Sequence, residues 1–78
     1  MGMRLDAWLA KAGKTEVQLG EIAGIHRSSV NRIRRGSRPI GLGLALRIEQ
    51  ATGGAVTAEE LPLSEPARES LTAFRGAA

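Results

Sequence analysis

The sequence predicts an all-α fold of four to five short helices packed into one compact domain. Apolar residues recur at intervals of three and four, as in Leu5, Trp8 and Leu9, which is the spacing of one helix face. Glycines such as Gly13 and Gly36 follow these segments at positions where helices commonly end. The 78 residues include no cysteine, so one small core must hold the domain together without disulfides.

The first two helices are predicted over residues 3–12 and 15–23. Thr15 and Gln18 have the spacing of a capping box, in which each side chain satisfies the other residue's backbone N–H. We expect three apolar residues of the second helix to face the core, namely Leu19, Ile22 and Ala23.

A tight turn and a third helix follow. Gly24 can supply the positive φ that a turn needs, and Gly20 would let the next helix cross closely. The third helix is predicted over residues 27–35, with His26 or Ser28 as its N-cap. A capped helix, a glycine turn and a second helix together form a helix-turn-helix, and we assign residues 1–61 to that domain.

The rest of the chain has weaker patterns. A fourth helix is predicted over residues 41–52, and a capping-box pattern from Thr57 to Glu60 predicts a short turn that buries Leu61. Residues 62–78 are expected to form a weak helix or a loose tail, and they are a candidate dimerisation segment.

Positive charge is concentrated in one segment. Residues 26–38 contain five arginines and no acid, whereas the remainder has six bases and eight acids. A mildly acidic body with one basic segment favours a polyanionic partner at one face.

The predicted third helix has two different faces. At 100° per residue, Val30 and Ile33 lie on the inner side, and a polar stripe lies opposite. Arginine can donate twice to guanine, and asparagine can pair twice with adenine in the major groove. We therefore expect four base-contacting residues: Arg27, Ser28, Asn31 and Arg32.

Other polar residues around this helix are expected to contact DNA phosphates, which position a protein without specifying a sequence. Arg34, Arg35 and Arg38 lie toward the end of the helix and in the next loop. The remaining members of the phosphate set lie before the helix: Lys14, Gln18 and His26.

Other functional classes find little support. Gly13-Lys14-Thr15 imitates the end of a phosphate-binding loop, but Trp8 stands where that loop needs glycine. One histidine and no cysteine cannot supply an ordinary metal site, and no nucleophile, base and orienting group occur together. We expect no enzyme activity, no cofactor, no membrane span and a cytoplasmic location.

Residues from Leu5 to Leu61, about three quarters of the chain, resemble small Cro-type helix-turn-helix repressors of phages and bacteria, and most closely YdaS-type antitoxins. The resemblance is carried by residues 15–20, 24–25, 30, 33, 35–39, 45–49 and 51–56. It implies a lambda-repressor/Cro-like fold whose third helix enters the major groove, with Arg27, Ser28, Asn31 and Arg32 facing DNA. Such proteins often begin the second helix with glutamine, whose amide touches a phosphate, whereas this chain has Glu16.

The sequence thus predicts a transcriptional regulator that binds a quasi-palindromic operator, as a homodimeric repressor of its own or a neighbouring promoter. The alternative is an antitoxin or another module whose main partner is a protein, for example a toxin. For that alternative, Leu71 and Phe74 in the last segment would be buried in the partner.

Overall fold

The computed structural model describes residues 3–76, which fold into five α-helices and one 3₁₀ turn. The helices are α1 (Leu5–Ala12), α2 (Glu16–Ala23), α3 (Arg27–Arg35), α4 (Leu42–Ala51) and α5 (Glu65–Gly76), and the 3₁₀ turn is Ala58–Glu60. The all-α fold class is confirmed. Helix α1 begins two residues later than predicted, since Arg4 is its N-cap.

Local sequence signals place the helix boundaries. In the capping box of α2, the Thr15 N–H donates to Gln18 Oε1 at 2.9 Å, and the Gln18 N–H donates to Thr15 Oγ1 at 3.1 Å. Glycines with positive φ end the first three helices: Gly13, Gly24 and Gly36. Because both signals are local, the sequence predicted α2 and α3 closely.

One apolar core joins all the helices. Its most buried large side chains are Leu19, Val30, Ile48 and Val56, one each from α2, α3, α4 and the segment after α4. Trp8 is half-buried and packs against this core from α1. The core therefore fixes α2 and α3 relative to the rest of the domain.

The C-terminal segment forms a helix that completes the core. Leu71 of α5 is only 2% exposed and belongs to the same apolar cluster, whereas Phe74 is 57% exposed. Two backbone hydrogen bonds join the start of this segment to the loop before α4. The Ile40 N–H donates to Pro62 O, and the Ser64 N–H donates to Ile40 O. A weak helix or a loose tail was expected for this segment, and the structure has a helix over Glu65–Gly76.

Two local predictions are wrong. Ile22 was expected to face the core, but it is 52% exposed, because the buried face of α2 is made by Leu19, Gly20 and Ala23. Thr57 makes no side-chain cap for the 3₁₀ turn. Glu49 of α4 replaces that cap, since its Oε1 accepts the Ala58 N–H at 2.9 Å.

No helix within residues 3–76 has the length and apolar character to cross a membrane.

Candidate nucleic-acid interface

Helices α2 and α3 cross closely through a glycine. The Ile25 N–H donates to Gly20 O at 2.8 Å, which closes the turn between them. A Cβ atom on Gly20 would lie 2.6 Å from Ile25 O, far inside normal contact distance. The expectation that Gly20 permits a close crossing is therefore confirmed, and it sets how α2 and α3 face one another.

The four expected base-contacting residues share one surface concavity. Val30 and Ile33 bury the inner side of α3, which turns its polar side outward. The concavity is lined by these four residues together with one residue of α2: Arg27, Ser28, Asn31, Arg32 and Glu16. A surface rich in donors at the start of an exposed helix has the chemistry to bind base edges in a major groove.

His26 caps the start of α3. Its Nδ1 accepts the Ser28 N–H at 3.1 Å and lies 2.8 Å from Ser28 Oγ. With Nδ1 as the acceptor, a neutral ring carries its proton on Nε2 and can donate it to an external phosphate. Of the two predicted caps, the structure therefore has His26, and the Ser28 hydroxyl is engaged by the same ring nitrogen.

Arg34 is held by two carboxylates. Its Nε donates to Asp6 Oδ1 of α1, and its Nη1 donates to Glu16 Oε2 at 3.0 Å. The hydrogen bond to Asp6 is the main cause that raises the pKa of Arg34, and the one to Glu16 adds to it. Its expected role in phosphate binding stays a prediction, and these contacts give Arg34 a role in joining α1, α2 and α3.

The other arginines of the basic segment lie in two different grooves. Arg38 lines a groove together with Arg32 and Ser29. Arg35 lines another groove, which also contains Arg4 and several acids. The structure thus places Arg38 in a groove shared with Arg32, whereas Arg35 lines the groove that also contains Arg34.

Lys14 and Gln18, the two expected phosphate ligands near the start of α2, are both exposed. Gln18 uses its Oε1 in the capping box, so its amide N–H groups remain to donate. Each of them lies two positions from Glu16 along the chain.

The surface charge around the interface is uneven. Among residues 3–76, no carboxylate lies within ion-pair distance of Arg27, Arg32, Arg35 or Arg38. Glu16 is the one residue of the concavity that sequence reasoning did not assign to the site. The signal that could have found it is its place at the first position of α2, where similar proteins often have a glutamine that touches a phosphate.

The comparisons agree with this geometry. The helix-turn-helix family model matches residues 5–61, which run from α1 through the 3₁₀ turn. No curated protein and no solved structure gives a match to the chain. Because the family match covers well over half of the sequence, the chain belongs to the Cro/C1-type helix-turn-helix family of DNA-binding regulators.

Proposed function

We propose that this protein is a sequence-specific regulator that inserts α3 into the major groove of double-stranded DNA. The observation that carries the proposal is the single concavity that joins Arg27, Ser28, Asn31 and Arg32. Arginine and asparagine in such a position can discriminate bases by about 1–3 kcal/mol per good contact.

Phosphate contacts would fix the position of α3 on the duplex. Arg38 is the strongest candidate, because it borders the same groove as Arg32 and is free of ion pairs within residues 3–76. Arg35 would reach a phosphate from the far side, and Arg34 contributes chiefly through its internal ion pairs. Three residues before α3 complete the proposed set: Lys14, Gln18 and His26.

We infer a homodimer because a single short helix offers few base contacts. In a dimer, two copies of α3 would lie about one DNA turn, or 34 Å, apart on a quasi-palindromic operator. Such binding over a promoter gives a repressor, and a chromosomal operator implies action in the cytoplasm. Sedimentation of the protein with and without its DNA tests this, and a monomer that stays monomeric on DNA contradicts it.

Selection from a random DNA pool by gel shift tests the proposed function directly. We expect enrichment of one sequence with two-fold symmetry, which gives the operator and the half-site spacing together. Absence of any enrichment would overturn the proposal.

Two arginine variants separate base contact from phosphate contact. Arg32→Ala should cost about 1–3 kcal/mol on the operator and relax preference at one base position. Arg38→Ala should weaken all sequences alike and reduce the slope of log K against log salt by about one unit. Arg75→Ala near the end of α5, which removes the same charge at a residue that lines none of these grooves, is the control and should change neither. An Arg32→Ala protein with unchanged affinity and preference contradicts the assignment.

A second candidate function is a protein-binding role, such as that of an antitoxin, as the YdaS-type resemblance implies. It is favoured by Phe74, which is 57% exposed at the end of α5. Leu71 is already buried in the domain's own core, so Phe74 alone remains of the expected contact pair. A protein that enriches no DNA sequence would favour this role.

A further inference from the structure

Glu16 links the base-contacting face of α3 to α2. Its Oε2 accepts a hydrogen bond from Asn31 Nδ2 at 3.0 Å and another from Arg34 Nη1 at 3.0 Å. The Glu16 side chain is 26% exposed and lines the same concavity as Asn31. An acid thus lies inside the proposed DNA interface, in direct contact with one of its base-contacting residues.

The carboxylate dictates how the Asn31 amide is turned. An ionised carboxylate can only accept hydrogen bonds, whereas a side-chain amide has a donating nitrogen and an accepting oxygen. The reversed amide would bring Asn31 Oδ1 against Glu16 Oε2, which places two acceptors together. Glu16 therefore holds Nδ2 inward and leaves Oδ1, to which no donor is bonded within residues 3–76, for an external partner.

Base edges in the major groove differ in what they offer to such an oxygen. Adenine N6 and cytosine N4 are donors, whereas guanine O6 and N7 and thymine O4 are acceptors. Adenine also offers N7 to the second N–H of the Asn31 amide, so it can satisfy both amide atoms.

We propose that Glu16 is a positioning residue that determines DNA specificity. By holding Asn31 Nδ2, it makes Oδ1 the atom presented to the base, and so selects adenine first and cytosine second over guanine and thymine. This inference rests on the proposed function, because it requires α3 to lie in the major groove.

The same acid lowers affinity for all DNA. Glu16 and Asp6 together carry two negative charges, and Arg34 compensates only one of them. A net negative charge beside the interface repels phosphates, and this repulsion is independent of base sequence. Removal of the charge should therefore tighten binding in general, while removal of the Asn31 contact should reduce discrimination at one position.

Glu16→Gln and Asp6→Asn form a matched pair of variants. Each variant replaces a carboxylate that accepts a hydrogen bond from Arg34 with an uncharged amide. Only Glu16→Gln also changes the group that accepts the hydrogen bond from Asn31. Glutamine can donate as well as accept, so it allows the Asn31 amide to turn either way.

The experiment begins with the wild-type operator from the random-pool selection. Comparison with Asn31→Ala identifies the base position at which this residue acts. Affinities are then measured at one salt concentration for all four bases at that position, with wild type and both variants. Urea unfolding of each variant verifies that it is folded.

We expect the wild type to favour adenine or cytosine there, by between about 5-fold and 150-fold. The Glu16→Gln protein should bind all sequences more tightly. Its preference for adenine or cytosine over guanine or thymine should fall to the square root of the wild-type ratio or less. Asp6→Asn should also bind more tightly but keep the preference.

Each failure has a distinct meaning. A guanine or thymine at the Asn31 position overturns the inference from wild type and Asn31→Ala alone, even if Glu16→Gln does not fold. Equal preference in Glu16→Gln and Asp6→Asn, or no position altered by Asn31→Ala, also overturns it and leaves the proposed function standing. A wild type that selects no sequence overturns the proposed function itself, and the inference with it.

Discussion

Replacement of Leu71 by alanine tests whether α5 belongs to the core of the domain. Leu71 is 2% exposed within the cluster that contains Leu19 and Ile48, although it lies outside the part of the chain that the family model matches. Truncation of a buried leucine typically costs about 2–5 kcal/mol. A domain of this size has a total stability of about 4–12 kcal/mol, so the loss would be a large share of it.

The assay is urea unfolding followed by the fluorescence of Trp8, which packs against the core and is the chain's single tryptophan. Phe74→Ala on the same helix is the control, because its 57% exposed ring should contribute within about 0.5 kcal/mol. Thermal unfolding of Leu71→Ala should occur at least about 8 °C lower than that of the wild type. Equal stabilities of Leu71→Ala and wild type would refute the view that α5 completes the core.

Two further predictions concern residues outside the interface. Thr52→Val should lower the free energy of unfolding by up to about 2 kcal/mol, because it leaves the buried Val56 N–H without its 3.0 Å acceptor while adding one methyl group. Unchanged urea midpoints would contradict this. Arg75 of α5 donates to the Glu59 carboxylate at 2.9 Å, and this hydrogen bond is the main cause that lowers the pKa of Glu59. Glu59 therefore stabilises the fold above about pH 4.3 and loses that effect as pH falls through the lowered pKa. Glu59→Gln should therefore be less stable than wild type at pH 7, and the difference in melting temperature should shrink as pH falls below about 4.3. A difference that stays constant with pH would argue against it.

The burial of Leu71 also affects how the role of residues 62–78 is tested. A deletion of this segment would remove Leu71 and Ala67 from the core and the hydrogen bonds at Ile40. Loss of dimerisation after such a deletion would then reflect unfolding. Phe74→Ala, measured by sedimentation, is the cleaner test of whether α5 forms an interface.

The helix-turn-helix was predictable because its signals are local. The capping box at Thr15 and the positive-φ glycine at Gly24 act within a few residues, and α3 has the bounds that the sequence predicted. Ile22 was misplaced because the close approach at Gly20 turns the buried face of α2 away from it.

The ion pairs were not predictable from spacing. Asp6 and Arg34 are 28 residues apart and meet only because the core packs α1 beside α3. The cap supplied by Glu49 to Ala58 likewise depends on how α4 packs against the 3₁₀ turn. Sequence patterns identified the exposed side of α3, but the partners of its side chains depend on tertiary packing.

The absence of a side chain at Gly20 affects how the candidate nucleic-acid interface could change by mutation. A larger residue there would clash with the Ile25 carbonyl, so the backbone that leads into α3 would have to shift and the gap between α2 and α3 would change. The hydrogen bond from Asn31 to Glu16 spans that same gap. Under the role proposed above for Glu16, a substitution at a buried position, far from any base, would thus alter which operator the protein prefers.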